Sequence, residues 1–407
     1  MMRIVFIHPN FPAQFRHQAA ALGRNQGNRV VFVTQNERPE WVIPGVHKLV
    51  CPKAEEGSED DHSPRGGLDK TLKNGGLVLK ALLGLRRKGF VPDLVVGHSG
   101  WGTTLYVKEA FPDVPFMGYF EWFYDPGGHD ARFDPSEPLT IAGAANLRVK
   151  NFPILTDLAG CSHGTTPTRW QKQQFPREFH PKLSVVHDGV DISYFTPGNG
   201  ESLGLPGVDL SGVGEIVTYA TRGMEPYRGF PQFMEAAAII LQKRPSCHVV
   251  VAGSDRVCYG KKLPGGATYK QQALESFQGD RERLHFAGSL PYGQYKSLLQ
   301  ASSVHVYLTR PFVLSWSLLE AMSCGCLVVA SNTPPVQEVI RDGRNGLLVD
   351  FFSSEEIASR VVDALEHQQE LAPLRKNARA HMVDHYDLRK LLPIQLKLMA
   401  EVVRRSR

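Results

Sequence analysis

The sequence predicts an α/β protein built from two Rossmann-like, doubly wound parallel-sheet domains facing a cleft. Short β-branched and aromatic runs alternate with longer stretches of helical character, the pattern of parallel βαβ units. That alternation halts between Asp191 and Glu215, where Pro197, Gly198, Gly200, Gly204, Pro206, Gly207, Gly212 and Gly214 crowd together, and then begins again. A length of 407 residues, at roughly 150 per domain, leaves room for two or three domains.

In the first half, Ile4-Val5-Phe6-Ile7 is a strand that ends in the loop His8-Pro9-Asn10-Phe11-Pro12 and leads to a helix carrying Phe15, Ala19, Ala20 and Leu22. The runs 29–34, 94–98, 116–120, 158–162 and 183–186 follow as strands. In the second half the strands are 216–220, 248–253, 284–288, 304–308 and 327–331, with helices at 232–242 and about 316–324. Neither half contains G-x-G-x-x-G, so a dinucleotide fold is disfavoured and an interdomain cleft at the carboxyl ends of the strands is expected.

Composition excludes several classes. With 42% hydrophobic and 21% charged residues the chain is an ordinary globular protein, not disordered, collagen-like or coiled-coil. A net charge of +5 does not call for nucleic acid as a partner. Cys51, Cys161, Cys247, Cys258, Cys324 and Cys326 form no C-x-x-C pair and no zinc spacing, so reduced thiols in the cytoplasm are the default. The opening apolar run, Ile4 to Ile7, is too short for a signal peptide or a membrane span. Glu55, Glu56, Glu59, Asp60 and Asp61 read as a solvated loop, and Asp60-Asp61 as no metal site. Between Lys70 and Lys88, Leu72, Leu77, Leu79, Leu82, Leu83 and Leu85 alternate with cations; the segment is a surface helix with a solvated basic face, or one that touches an anionic membrane.

The chemistry concentrates in the second half. Arg222 and Arg228 stand just past strand 216–220 among glycines, and two guanidinium groups there suit a diphosphate. Ser315 is a natural N-cap, so the amides of Trp316, Ser317 and Leu318 are expected to open a helix toward an anion. Glu320 lies one turn further in among Leu318, Leu319, Ala321 and Met322, where a carboxylate is costly unless it is hydrogen bonded, by ribose hydroxyls or by a nearby arginine.

These residues resemble the retaining glycosyltransferases of family 4, which have the two-domain GT-B fold. The likeness rests on Arg222 and Arg228, on Leu-Leu-Glu-Ala-Met-x-x-Gly at 318–325, on His187-Asp188-Gly189-Val190-Asp191 before the linker, and on Glu338-Val339-Ile340 followed by Asp342-Gly343-Arg344-Asn345-Gly346-Leu347-Leu348-Val349. It implies an acceptor-side domain at 1–195, a linker at 196–214, a donor-binding domain at 215–383, and a last helix at 384–407 packing back on the first domain. It also implies a nucleoside diphosphate sugar as donor substrate, no cofactor and no essential metal, with Arg222 and Arg228 as charge stabilisers and Glu320 on the ribose. Val313, Leu314, Ser315, Trp316, Ser317 and Leu318 would line the donor, Leu290 and Tyr292 would meet the base, and Asp255 and Arg256 would border it.

Two departures stand out. The resemblance places a sugar-binding Glu eight positions before Glu320, where this chain has Phe312. In place of the usual Gly-Gly loop after the first strand stand Asn10, Phe11 and Gln14, expected on the acceptor side, and the later His site reads Glu121. Glu121 acts on acceptor or sugar, or is a satisfied structural carboxylate; His98 contacts the sugar, or serves the core or a helix cap. The aromatics between Tyr119 and Tyr124, with Trp101, suit stacking on a sugar or a lipid portion, or the core.

The expected activity is transfer from a UDP-sugar such as UDP-glucose to a saccharide or lipid-linked saccharide in polysaccharide biosynthesis, the lipid-linked case bringing peripheral contact with the inner membrane. A GDP-mannose donor, a noncatalytic GT-B binding protein, and an epimerase or sugar phosphorylase are the alternatives.

Overall fold

Alternation within single strands sets the architecture. In the computed structural model, which describes residues 2–54, 64–198 and 209–406, Ile4 and Phe6 of the first strand enter one core while Val5 and Ile7 enter another on the opposite face of the sheet. The acidic run at 55–61 and positions 199–208 of the linker lie outside the described residues.

Two compact units emerge, one of Met1–Asp188 with Arg389–Arg407, the other Gly189–Leu388. The first carries β1 (Arg3–Ile7), β2 (Arg29–Thr34), β3 (Val46–Val50), β4 (Leu94–His98), β5 (Phe116–Tyr119), β6 (His163–Thr166) and β7 (Leu183–Val185). They form a seven-stranded sheet in the order β3-β2-β1-β4-β5-β6-β7, parallel throughout. The helices Pro64–Arg87 and Ile141–Gly160 cover one face through Val78, Leu82, Ile154 and Leu158. On the other face Phe15, from the turn after β1, packs with Met399, Val402 and Val403 of the helix Leu388–Arg405. The run 158–162 is not a strand: positions 158–160 end the helix Ile141–Gly160, and β6 starts at His163. Leu158 belongs to the helical face it shares with Ile154, a periodicity that so short an apolar run cannot reveal.

The second unit holds β8 (Glu215–Gly223), β9 (Cys247–Ser254), β10 (Leu284–Gly288), β11 (Val304–Tyr307), β12 (Val328–Ser331) and β13 (Leu347–Val349). Their order is β10-β9-β8-β11-β12-β13, again parallel. The helix Phe230–Lys243 begins at Gly229, whose φ of +65° and whose approach to Leu308, 2.6 Å from where a Cβ would stand, exclude any larger residue without strain.

Both sheets reverse their winding once, between β1 and β4 and between β8 and β11. In open α/β sheets ligands bind in the crevice at the carboxyl ends of strands where the order reverses. The candidate chemistry should therefore gather just past β1 and β4 in one unit, and past β8 and β11 in the other.

Candidate active site

Past β8, Arg228 lies in the short turn Pro226–Arg228 and is 7% exposed. Its Nη1 donates to Thr309 Oγ1 at 2.7 Å, to the Val313 carbonyl at 3.1 Å and to the Tyr307 hydroxyl at 3.3 Å. One guanidinium thus ties the end of β8 to the loop after β11, across the reversal, while its face lies 5.2 Å from the Tyr259 ring. Arg222 is exposed near the end of β8. The first cation is therefore fixed and desolvated, the second solvated.

Between them sits Glu225, fully buried, which the sequence reading passed over. Its carboxylate accepts from the amides of Cys258 at 2.9 Å, Tyr259 at 3.0 and 3.1 Å, and Gly260 at 2.6 Å. This pins the loop after β9 and, with it, the Tyr259 ring against Arg228. No sequence signal marks the residue, because its partners are backbone amides 33 to 35 positions away.

After β11 the helix Trp316–Ser323 starts at Ser315, whose side chain caps the Ser317 amide at 3.3 Å. The Leu318 amide turns back to the Ser315 carbonyl at 3.3 Å, which corrects the expectation that three amides stand open: the short N-cap serine folds onto its own first turn. Ser315 N itself donates to the Tyr307 hydroxyl at 2.9 Å. Leu314 and Leu318 are core residues, 5% and 0% exposed, so they can offer a ligand only backbone. Val313, Trp316 and Ser317 are half-buried.

Glu320 is 6% exposed and accepts the Tyr292 hydroxyl at 2.7 Å. Its partner is a tyrosine that the resemblance sets at the base, not an arginine. Burial pushes its pKa up to about 7, the Tyr292 hydrogen bond pulling the other way. The folded state then keeps a proton that the unfolded chain releases near its ordinary 4.5. Stability contributed by protonated Glu320 is present at low pH and is lost as pH rises from about 4.5 to about 7. Glu320→Gln, which cannot ionise, should accordingly gain melting temperature relative to the natural protein between about pH 5 and pH 8; a difference constant with pH would mean that the carboxylate is not desolvated.

Asp255 and Arg256 are exposed after β9, with Asp255 accepting from Thr268 Oγ1 at 3.0 Å. Leu290 is half-buried in a small cluster with Val250 and Leu298. Phe312, 7% exposed, stands edge-on to Tyr227 and Tyr259 with centroids 5.5 and 5.4 Å away. Where the resemblance calls for a carboxylate there is an aromatic wall.

In the other unit, His98 ends β4 and Glu121 follows β5. His98 is 1% exposed, and its Nδ1 meets the Ser99 carbonyl at 2.8 Å, so Nδ1 carries the proton and Nε2 the lone pair. Burial drives its pKa down to about 3, only partly offset by that hydrogen bond. Nε2 lies 3.7 Å from Glu121 Oε2, and Glu121 Oε1 accepts from Gln14 Nε2 at 3.2 Å. Both His98 Nε2 and Glu121 are acceptors, so a ligand hydroxyl that reaches either of them would donate. The Trp101 ring lies 4.3 Å from His98. Asn10 is exposed, its amide donating to His8 Nδ1. Phe11 instead faces the core, 5% exposed and edge-on to Phe32, with Lys48 Nζ 4.5 Å from its ring. His98, Glu121 and Gln14 thus converge at the β1/β4 reversal, and Phe11 does not join them.

Two family models match the chain: "Glycosyl transferase family 4 group" over residues 26–195 and "Glycosyl transferases group 1" over residues 212–381. The chain belongs to the family-4 glycosyltransferases. It is similar to the D-inositol 3-phosphate glycosyltransferase of Corynebacterium efficiens, 24% identical over 206 residues, 49% of this chain and 46% of that protein. The chain spans less than half the length of the first curated relatives it matches. Among solved structures, Anabaena HepE in complex with UDP and glucose superposes with a TM-score of 0.71 at 17% identity, covering 98% of this chain and 100% of that one. Sucrose-phosphate synthase from Thermosynechococcus elongatus gives 0.72 at 14%, covering 99% of each. These likenesses show that the glycosyltransferase has the GT-B fold.

Proposed function

We propose that this glycosyltransferase is a retaining, metal-independent hexosyltransferase that uses a UDP-sugar, UDP-glucose first, and a saccharide or lipid-linked saccharide acceptor in polysaccharide biosynthesis. The observation that carries the reading is Arg228, a buried guanidinium locked across the β8/β11 reversal beside the helix start at Ser315. A fixed cation in a dry crevice stabilises the charge that builds on a departing diphosphate. Arg222 would add a second charge from the solvent side. Glu320, already satisfied by Tyr292, would take ribose hydroxyls in exchange for or beside that phenol. HepE, solved with UDP and glucose, supports uracil as the first choice of base.

In this scheme the acceptor hydroxyl attacks the anomeric carbon on the face from which the diphosphate leaves, and a leaving-group oxygen takes its proton. No protein nucleophile is required. Neutral His98 is suited to accept from a sugar hydroxyl, and Glu121 to hold an acceptor hydroxyl. Six free cysteines, five of them buried, accord with a cytoplasmic setting. Among the described residues no helix is long and apolar enough to cross a membrane.

A thermal-shift panel of UDP, GDP and ADP tests the donor reading, since a ligand bound only by the folded state raises the melting temperature. UDP should give the largest shift, and release of UDP from UDP-glucose should continue in EDTA. A shift with GDP alone would replace the donor. Phe312 favours a second reading, a GT-B binding protein without turnover; hydrolysis of any nucleotide sugar, however slow, excludes it.

A further inference from the structure

The helix Ile141–Gly160 lies on the surface of the first unit yet its outer face is mostly apolar. Asn151, Pro153, Ile154, Asp157 and Leu158 face inward. Ile141, Ala145, Arg148, Phe152, Leu155 and Ala159 are all exposed, and their spacing of four and three residues places them on one stripe. Ile141 is 92% exposed, Phe152 41% and Leu155 39%. A surface helix ordinarily turns charge outward; an apolar stripe left exposed marks a contact surface. The single carboxylate of this helix, Asp157, is turned inward, accepting the Ser99 and Thr104 hydroxyls at 2.6 Å each. Arg148 is the one charge on this stripe and is positive; Lys150, half a turn away, has its Nζ 5.1 Å from the Tyr124 ring.

The neighbouring helix Pro64–Arg87 packs on the same face of the sheet, sharing a core through Val78 and Leu82 against Ile154 and Leu158. Its exposed positions include Arg65, Lys73, Lys80, Arg86 and Arg87, with Lys88 just beyond, against one exposed acid, Asp69. Leu72 among them is 37% exposed. An apolar stripe is thus flanked by cations. We propose that the outer face of Ile141–Gly160, with the cations of Pro64–Arg87 beside it, docks on an anionic lipid surface. The apolar side chains enter the headgroup boundary while the flanking lysines and arginines meet lipid phosphates, the division of labour of an interfacial helix. A second copy of the chain fits less well, because two such faces would bring like charges together. This extends the basic-helix reading of the sequence: Lys70–Lys88 supplies the electrostatics, and a different helix supplies the apolar contact. It rests on the packing of one unit and not on the donor site.

The experiment is co-sedimentation of the full chain with vesicles of phosphatidylcholine alone or with about one-third phosphatidylglycerol, at low and high salt. Binding should require the anionic lipid and weaken without vanishing at high salt. The triple variant Ile141→Glu, Phe152→Glu, Leu155→Glu should lose about tenfold in bound fraction, with its melting temperature and its response to UDP unchanged. Lys73→Glu with Lys80→Glu, on the neighbouring helix, should remove mainly the salt-sensitive part. Equal sedimentation of the triple variant and the natural protein would overturn the proposal, as would equal binding to neutral vesicles. So would a natural protein that is dimeric by ultracentrifugation and becomes monomeric in the triple variant without ever binding vesicles, which would make a second copy the occupant. Because UDP response is followed in the same samples, failure of the surface and failure of the donor site give different results.

Discussion

Arg228→Ala is expected to lower kcat for sugar transfer by about 100- to 1,000-fold, the loss typical when a preorganised group that meets developing charge is removed. The side chain is desolvated and its Nη1 is held by three oxygens, so it need not reorganise as the leaving group forms. Its removal also leaves the Thr309 hydroxyl and the Val313 carbonyl without this donor, which costs about 1–3 kcal/mol. Melting temperature must therefore be measured alongside turnover. Arg228→Lys keeps the charge but cannot span the same oxygens from one planar fork, and should recover only part of the activity without restoring affinity for the nucleotide. Arg222→Ala supplies the control: that side chain is exposed, so its loss should depress transfer strongly with melting temperature unmoved. Near-normal turnover in both alanine variants would remove the diphosphate site.

Glu225→Ala should be the most damaging change to the second unit. Four hydrogen bonds from three amides converge on this carboxylate, and deletion leaves three part-buried donors without their acceptor. At about 1–3 kcal/mol for each unsatisfied group, a loss near 3 kcal/mol is a conservative expectation. For a unit of this size that is roughly 6–12 °C in melting temperature. Glu225→Gln should help little, because its amide turns a donor toward donors. The functional consequence follows from geometry: once the loop after β9 is released, Tyr259 no longer rests on Arg228, and UDP should bind more weakly than stability loss alone explains. A variant that melts within about 2 °C of the natural protein would show that these amides find other partners.

Much of the framework was legible because it depends on local pattern. Val30 to Val33 and Val249 to Val251 could only be strands, and their alternation with helical stretches implied parallel sheets. Ser315 declared a helix start, and Glu320 an anomaly in an apolar helix. Short or mixed runs were less legible. Val46–Val50, with His47 and Lys48 inside it, is an edge strand that only its pairing with β2 defines. Leu158 looked like strand and proved to be helix, since a few apolar residues do not distinguish a period of 2 from one of 3.6.

What the sequence by itself determined was the class of the chain: two sheets, a break between them, and the residues clustered just past their strands. Tertiary structure alone decided which of those residues share a site. It placed Phe11 in the core while joining His98, Glu121 and Gln14, gave Glu320 a tyrosine as partner, and showed Glu225 holding a loop more than thirty residues away. It also exposed an apolar stripe on a helix whose inward and outward faces have similar composition. The physical reason is one of range. Strand and helix preferences are written within a few residues, whereas desolvation and hydrogen bonding depend on which distant segments the reversal of strand order brings together.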